Sequence, residues 1–241
     1  IQGPEVSVFA LCDGQRYTLL PTAQDHKRLK DNDKGPNTGG MGAYSPAPLL
    51  TNDYLNRIIK EIIEPTINEL NKRNIDYKGV IYFGLMITES GPKVIEYNCR
   101  FGDPECQTIM PLMDQNFVFI LEKCSMGNLN GDEKINTSDK VSGCVIATSK
   151  GYPHEYETGF QIKIGKIDSN DCQIFDSGTS LSKNGKLLTD GGRVLSIVCQ
   201  DKDFDMVFKK AYKNLKEIHF NGIYFRNDIG HQVRKNFSKE N

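Results

Sequence analysis

The chain carries almost no excess charge: 30 Lys and Arg against 31 Asp and Glu leave a formal net charge of −1 over 241 residues. Attraction to nucleic acid or to an anionic membrane surface rests on surplus Lys and Arg that neutralise phosphates, so this balance argues against both partners. Long apolar runs are missing too; none approaches the roughly 20 residues that a membrane-spanning helix requires. Cysteines number seven, an odd count, at Cys12, Cys99, Cys106, Cys124, Cys144, Cys172 and Cys199, and no two form a C-x-x-C pair. That scatter fits neither a secreted disulfide framework nor a structural zinc site, and reads as free thiols of a reducing cytoplasm. No Gly-Lys-Ser/Thr follows the glycine-rich stretch, so it is not a Walker A loop, and no G-x-S-x-G nucleophile elbow occurs. His26, His154, His219 and His231 lack metal-ligand spacing, and the chain has no internal repeat or low-complexity tract. It opens on Ile1 with no charged or apolar leader, which reads as an N-terminus made by processing or by a cut.

What is present is the composition of a globular protein, 38% hydrophobic and 25% charged, at a length that suits one large domain or two modest ones. Glu5 to Cys12 is strand-like, and Asp13-Gly14 before Gln15 to Leu20 predicts a hairpin. Pro21 to Pro48 shows no periodicity and is too long for an ordinary connector. From Thr51, a candidate cap, Tyr54, Leu55, Ile58, Ile59, Ile62 and Ile63 recur at helical spacing, and Pro65 predicts a kink. Strands are expected over 79–88 and 93–98, then helix from Pro104 to about Met126 with a break near Pro111. Residues 128–139 read as a linker. Beyond them come strands at 141–148 and 194–199, an Asn184-Gly185 hairpin, and one amphipathic helix behind Asp203. The pattern is α+β, with a first domain over 1–130 and a small β-rich domain over 140–241.

Two segments concentrate chemistry. In Lys93-Val94-Ile95-Glu96-Tyr97-Asn98, strand alternation puts Glu96 and Asn98 on one face about 7 Å apart. Two hard oxygens on a rigid strand suit Mg²⁺, which completes its shell with phosphate and water. A polar surface strand would show the same alternation, but Cys99-Arg100-Phe101-Gly102-Asp103-Pro104-Glu105 then crowds an Arg and two carboxylates into one loop. Cys99 beside Arg100 reads as a small packed cysteine rather than an activated thiolate. The second segment runs from Gln24-Asp25-His26-Lys27-Arg28 to Lys34-Gly35-Pro36-Asn37-Thr38-Gly39-Gly40-Met41-Gly42-Ala43-Tyr44. Its glycines would let backbone N–H groups approach a ligand or converge as an anion nest, with Lys27, Arg28 and Lys34 adding charge.

These two segments, QDHKR with GPNTGGMGAYSPAP and KVIEYNCRFGDPE, resemble the glycinamide ribonucleotide synthetases (phosphoribosylamine–glycine ligases), ATP-grasp enzymes of purine biosynthesis. The likeness continues through GYPHEYETG, DGGRVLSIV and FRNDIG. Biotin carboxylases share the strand-borne Glu-x-Asn but not this glycine loop. The resemblance implies the C-terminal lobe of an ATP-grasp fold, an antiparallel sheet with helices, followed by the small β-rich domain. It implies an ATP-dependent ligation of glycine to 5-phosphoribosylamine through a glycyl phosphate, with Mg²⁺ or Mn²⁺ held by Glu96 and Asn98. It implies Arg100 on the developing phosphoryl charge, and Asp103 on the glycine ammonium or ordering the loop. Asp25, Lys27, Gly40 and Met41 would face the substrate, and Leu85 would pack under adenine. ATP-grasp enzymes often carry a further acidic ligand on the preceding strand, where this chain has Gly84-Leu85-Met86. The family's N-terminal domain, nucleotide lid and hinge would precede this sequence, so the chain alone is expected to be inactive without that remainder. Another ATP-grasp carboxylate–amine ligase and an inert ATP-grasp fragment are the competing readings.

Overall fold

The computed structural model describes residues 2–235 except 115, 132 and 134. Strands β1 (Glu5–Asp13) and β2 (Tyr17–Leu19) form the hairpin expected at Asp13-Gly14. The Asp13 carboxylate anchors its turn, accepting from the Gln15 and Arg16 N–H groups and, through its other oxygen, from that of Leu129. Burial raises the Asp13 pKa, but those bonds and the Arg16 charge outweigh it and hold the group below its ordinary value. The aperiodic stretch that follows contains four short strands: β3 (Gln24–Asp25), β4 (Arg28–Lys30), β5 (Lys34–Asn37) and β6 (Gly42–Ser45).

Helix α1 (Asn52–Ile58) starts where Thr51 Oγ1 accepts the Tyr54 N–H, passes through a π-helical turn at Ile59–Ile63, and resumes as α2 (Glu64–Lys72). Pro65 has no N–H to give to the carbonyl of residue 61, so the expected kink takes the form of this π turn. Strands β7 (Lys78–Thr88) and β8 (Gly91–Asn98) form a hairpin. Then come α3 (Glu105–Ile109), a 3₁₀ turn at Pro111, and α4 (Phe117–Met126), ended by Gly127 at φ 74°. Within the expected linker 128–139, residues 132 and 134 lie outside the described residues. Its Leu129 is fully buried. The rest of the chain supplies β9 (Val141–Thr148), β10 (Lys163–Ile164), β11 (Cys172–Asp176), β12 (Thr179–Leu181), β13 (Leu187–Thr189), β14 (Arg193–Asp201), α5 (Phe204–Leu215) and β15 (Ile218–His219). Asp203 caps α5, accepting from the Met206 N–H at 2.9 Å. Among the described residues no helix is long and apolar enough to cross a membrane.

The chain divides into two compact units. The first comprises residues up to Gln24 with Ser45–Asp139. Its sheet has the order β2-β1-β7-β8, with Val6, Val8, Ile81, Phe83 and Leu85 packed against Ile58, Ile62, Ile63 and Ile67 of the α1–α2 layer. The opposite face packs Phe9, Leu11, Val80 and Tyr82 against Ile109 and α4.

The second unit comprises Asp25–Tyr44 with residues from Lys140 on. Its sheet runs β11-β14-β9-β6-β3, and Phe204, Val207, Phe208 and Ala211 of α5 share one core with Val145, Leu195 and Ile197. The domain boundary read from the sequence therefore needs one correction. Residues 25–44 leave the first domain because β6 and β3 complete the sheet begun by β9. A second correction concerns the cysteines. Cys172 and Cys199 are cross-strand partners on β11 and β14 and form a disulfide, and the other five cysteines lie outside it.

The 25–44 segment is tied to the second unit by a buried cation. Arg226, fully buried, donates bidentately to Asp228 (2.7 and 2.8 Å), and its Nη1 reaches Asp33 Oδ1 (2.9 Å) and the Arg28 carbonyl (3.0 Å). Beside it the buried His26 accepts the Gly230 N–H at Nε2. Burial, and then the nearby Arg226 charge, push the His26 pKa from 6.5 down to about 4. The unfolded chain protonates His26 near pH 6.5 and the folded chain only near 4, so this group draws stability away as pH falls through that window. Urea titrations should show stability declining between those values, with a shallower decline in His26→Gln. Met41, fully buried in the core under α5, gives a second test. Met41→Ala should cost about 2–5 kcal/mol in the same titration.

Candidate active site

The site residues of the first unit follow from the pairing of β7 with β8. Glu96 stands opposite Gly84 and Asn98 opposite Tyr82, so all four side-chain positions share one face of the sheet. The register shifts between Gly84 and Leu85, whose partners are Glu96 and Val94, and leaves Ile95 as the extra residue of a bulge. Glu96 is exposed and Asn98 half-buried. Leu85 points the other way. It is fully buried against the α1–α2 layer, so it does not offer a surface for adenine; strand alternation assigns it to the core.

The loop after β8 leaves Arg100 exposed, with its Nη1 donating to the Phe101 carbonyl (2.7 Å). Asp103 is exposed as well, and its Oδ1 accepts from Gln107 Nε2 at 3.1 Å. Cys99, expected to be packed, is exposed. Glu105, at the start of α3, is the buried carboxylate of the group. It is only 3% exposed and accepts from Ser7 Oγ at 2.8 Å, while Ser7 Oγ lies 3.2 Å from the Tyr82 hydroxyl. Reading the sequence did not single out Ser7 or Tyr82. The available signal was a lone serine inside the apolar run EVSVFALC.

Among the described residues, no three His, Cys, Asp or Glu side chains are grouped to hold a metal. Glu96 and Asn98 offer one carboxylate and one amide oxygen from a single strand face. So small a donor set does not enclose an ion, but it fits a hard cation that fills its shell with phosphate oxygens and water.

In the second unit, Asp25 and Lys27 are half-buried. The N–H groups of the glycine loop are already engaged: Thr38 with the Lys27 carbonyl (2.8 Å), Gly39 with the Tyr152 hydroxyl (2.8 Å), Gly40 with Thr38 Oγ1 (3.0 Å) and Met41 with the His26 carbonyl (2.9 Å). Arg193 Nη1 also donates to the Gly39 carbonyl (2.7 Å). The expected anion nest is therefore corrected. Four consecutive donors face protein acceptors, and the glycines serve close packing: a Cβ on Gly42 would lie 2.5 Å from the Cys144 carbonyl oxygen. Met41 is corrected likewise, since its side chain is sealed in the core. Gly40, at φ 111°, holds a backbone shape that other residues adopt only under strain.

Two family models match the chain: phosphoribosylglycinamide synthetase, ATP-grasp (A) domain, over residues 1–106, and phosphoribosylglycinamide synthetase, C domain, over residues 142–232. The phosphoribosylamine–glycine ligase of Synechocystis is 44% identical over 235 residues, covering 97% of this chain and 56% of that protein. The crystal structure of the phosphoribosylamine–glycine ligase of Thermotoga maritima superposes with a TM-score of 0.85 at 33% identity, over 95% of this chain and 56% of that one. A biotin carboxylase from Campylobacter jejuni reaches a TM-score of 0.66 at 15% identity over 100% of this chain and 54% of that one, a likeness of fold alone. The chain thus spans about half the length of the curated relatives it matches. Matched by both domain models and by relatives along almost its whole length, it belongs to the phosphoribosylglycinamide synthetase (phosphoribosylamine–glycine ligase) family of ATP-grasp proteins.

Proposed function

We propose that the complete protein joins glycine to 5-phosphoribosylamine at the expense of ATP, yielding glycinamide ribonucleotide, ADP and phosphate in purine biosynthesis. The observation that carries this reading is the placement of Glu96 and Asn98 on one open strand face running into the Arg100 loop. Glu96 and Asn98 would hold Mg²⁺ or Mn²⁺ there, and the cation would supply positive charge that offsets the charge of the nucleotide phosphates. Arg100, with its planar fork, meets the phosphoryl oxygens as glycine is converted to glycyl phosphate. Asp103 binds the glycine ammonium or orders the loop. Asp25, Lys27 and Gly40 belong to the substrate side of the reaction. Met41 and Leu85 act from their cores, holding the backbone that carries these groups.

Sequence beyond these 241 residues supplies the remaining contacts to ATP and excludes water from the acyl phosphate, so this chain alone is inactive. The setting is the cytoplasm, which suits the cysteines outside the disulfide. Nucleic acid and membrane have no part in it.

Glu96→Gln keeps the shape of the side chain and removes the charge that holds a hard cation. In the complete enzyme it should lower kcat by about 10²-fold or more with an unchanged melting temperature. Turnover within a few-fold of wild type at saturating Mg²⁺ would remove Glu96 from the metal site. Arg100→Lys replaces a bidentate fork by a point charge and should likewise lower kcat, with little change in the apparent affinity for glycine. A kcat near wild type would leave Arg100 a structural role only.

A further inference from the structure

Beneath the exposed residues of β8 lies a buried polar chain whose polarity can be worked out. Ser7 has a single hydroxyl proton, which it gives to Glu105 Oε1 at 2.8 Å. The contact between Ser7 Oγ and the Tyr82 hydroxyl at 3.2 Å therefore has the phenol as donor. The chain runs from the Tyr82 hydroxyl to Ser7 Oγ to the Glu105 carboxylate, all three residues at most 3% exposed. Polar groups so deeply buried are costly unless bonded to one another, so the chain fixes the Tyr82 phenol in one direction.

That direction brings Tyr82 to Glu96. Ser7, Gly84 and Glu96 form one row across the sheet, Ser7 opposite Gly84 on one side and Glu96 opposite it on the other. A Cβ built on Gly84 would lie 3.1 Å from the Tyr82 ring, 3.4 Å from its hydroxyl oxygen and 2.8 Å from Glu96 Cγ. The phenol and the stem of Glu96 thus converge over Gly84, a position of β7 that has no side chain. The loop is held from the same base. Phe9 packs edge-on against Tyr82 (5.3 Å between centroids) and also meets Phe101 (6.3 Å). The Glu105 carboxylate fills the space under Gly102, where a Cβ would come within 2.4 Å of Oε2.

The geometry points to Ser7, Tyr82 and Glu105 as positioning residues that aim Glu96 at its cation, an inference that rests on the metal-site reading of β8. Partners that orient a metal ligand are commonly worth 10–100-fold in metal affinity or activity. The phenol limits the rotamers open to Glu96, and the Ser7–Glu105 pair keeps the phenol in place.

The test uses the complete enzyme and Mn²⁺ in the presence of a non-hydrolysable ATP analogue, with free Mn²⁺ read by electron paramagnetic resonance. Tyr82→Phe removes the phenolic hydroxyl and leaves the ring, and Ser7→Ala removes the relay. Each should weaken Mn²⁺ binding by about 10-fold and lower kcat, with the apparent KM for glycine unchanged. Thermal melts accompany each variant. Should one fail to fold, the other carries the test, since each breaks the same chain. Glu96→Gln is the reference. If it binds Mn²⁺ like wild type, the metal-site reading fails and this inference with it. If it loses the ion while folded Tyr82→Phe or Ser7→Ala keeps wild-type affinity, the positioning inference alone is overturned.

Discussion

Side-chain alternation along β7 is the constraint from which the first unit takes its function. Ile81, Phe83, Leu85 and Ile87 face the α1–α2 layer and are buried; Tyr82 and Gly84 face the other way. Burying side chains of that size favours the register by about 1.5–3 kcal/mol apiece, whereas a slip of one residue would turn every one of them outward. The energy that fixes the register comes from the apolar face, but its result is felt on the polar one. Glu96 and Asn98 share an open face because Leu85 and Phe83 cannot leave theirs. The bulge at Ile95 adjusts the pairing at the single point where β8 passes from its turn to its functional end.

The hairpin at Asp13-Gly14, the capped helix after Thr51, the break at Pro111 and the helix behind Asp203 were legible because each is specified by neighbours within a turn or two. The strands between residues 24 and 45 were not. They are only two to four residues long, and β6 finds its neighbour β9 about a hundred residues later. No local window contains that pairing. The Cys172–Cys199 disulfide was hidden for the same reason: a spacing of 27 residues gives no hint of cross-strand partners. Of the expected site residues, those on an alternating strand could be given a face from spacing alone. Met41 and Leu85 sit in motifs with polar neighbours, and only packing shows that their side chains point inward.

The glycines show how one residue type serves unlike ends. From sequence, the cluster at 35–42 suggested donors awaiting an anion. In the fold, the N–H groups of residues 38–41 are turned to the protein's own acceptors, and the missing side chains at Gly42, Gly84 and Gly102 are room for a carbonyl, a phenol and a carboxylate. Backbone freedom and absent volume leave the same mark in a sequence, and only neighbours brought from elsewhere in the chain tell them apart.

The chain enters the second unit at Asp25, returns to the first at Ser45 and leaves it again after Asp139. Connectivity of this kind makes the two units interdependent as pieces of genetic material. A single break near residue 139 would free the C-terminal half without β3 to β6, and so without the sheet strands beside β9 and the acidic partner Asp33 of Arg226. The N-terminal half would keep β6 without its neighbour β9. The C-terminal portion therefore does not behave as a cassette that recombination could move on its own; it travels with residues 25–44 or exposes a raw sheet edge and an under-compensated buried arginine.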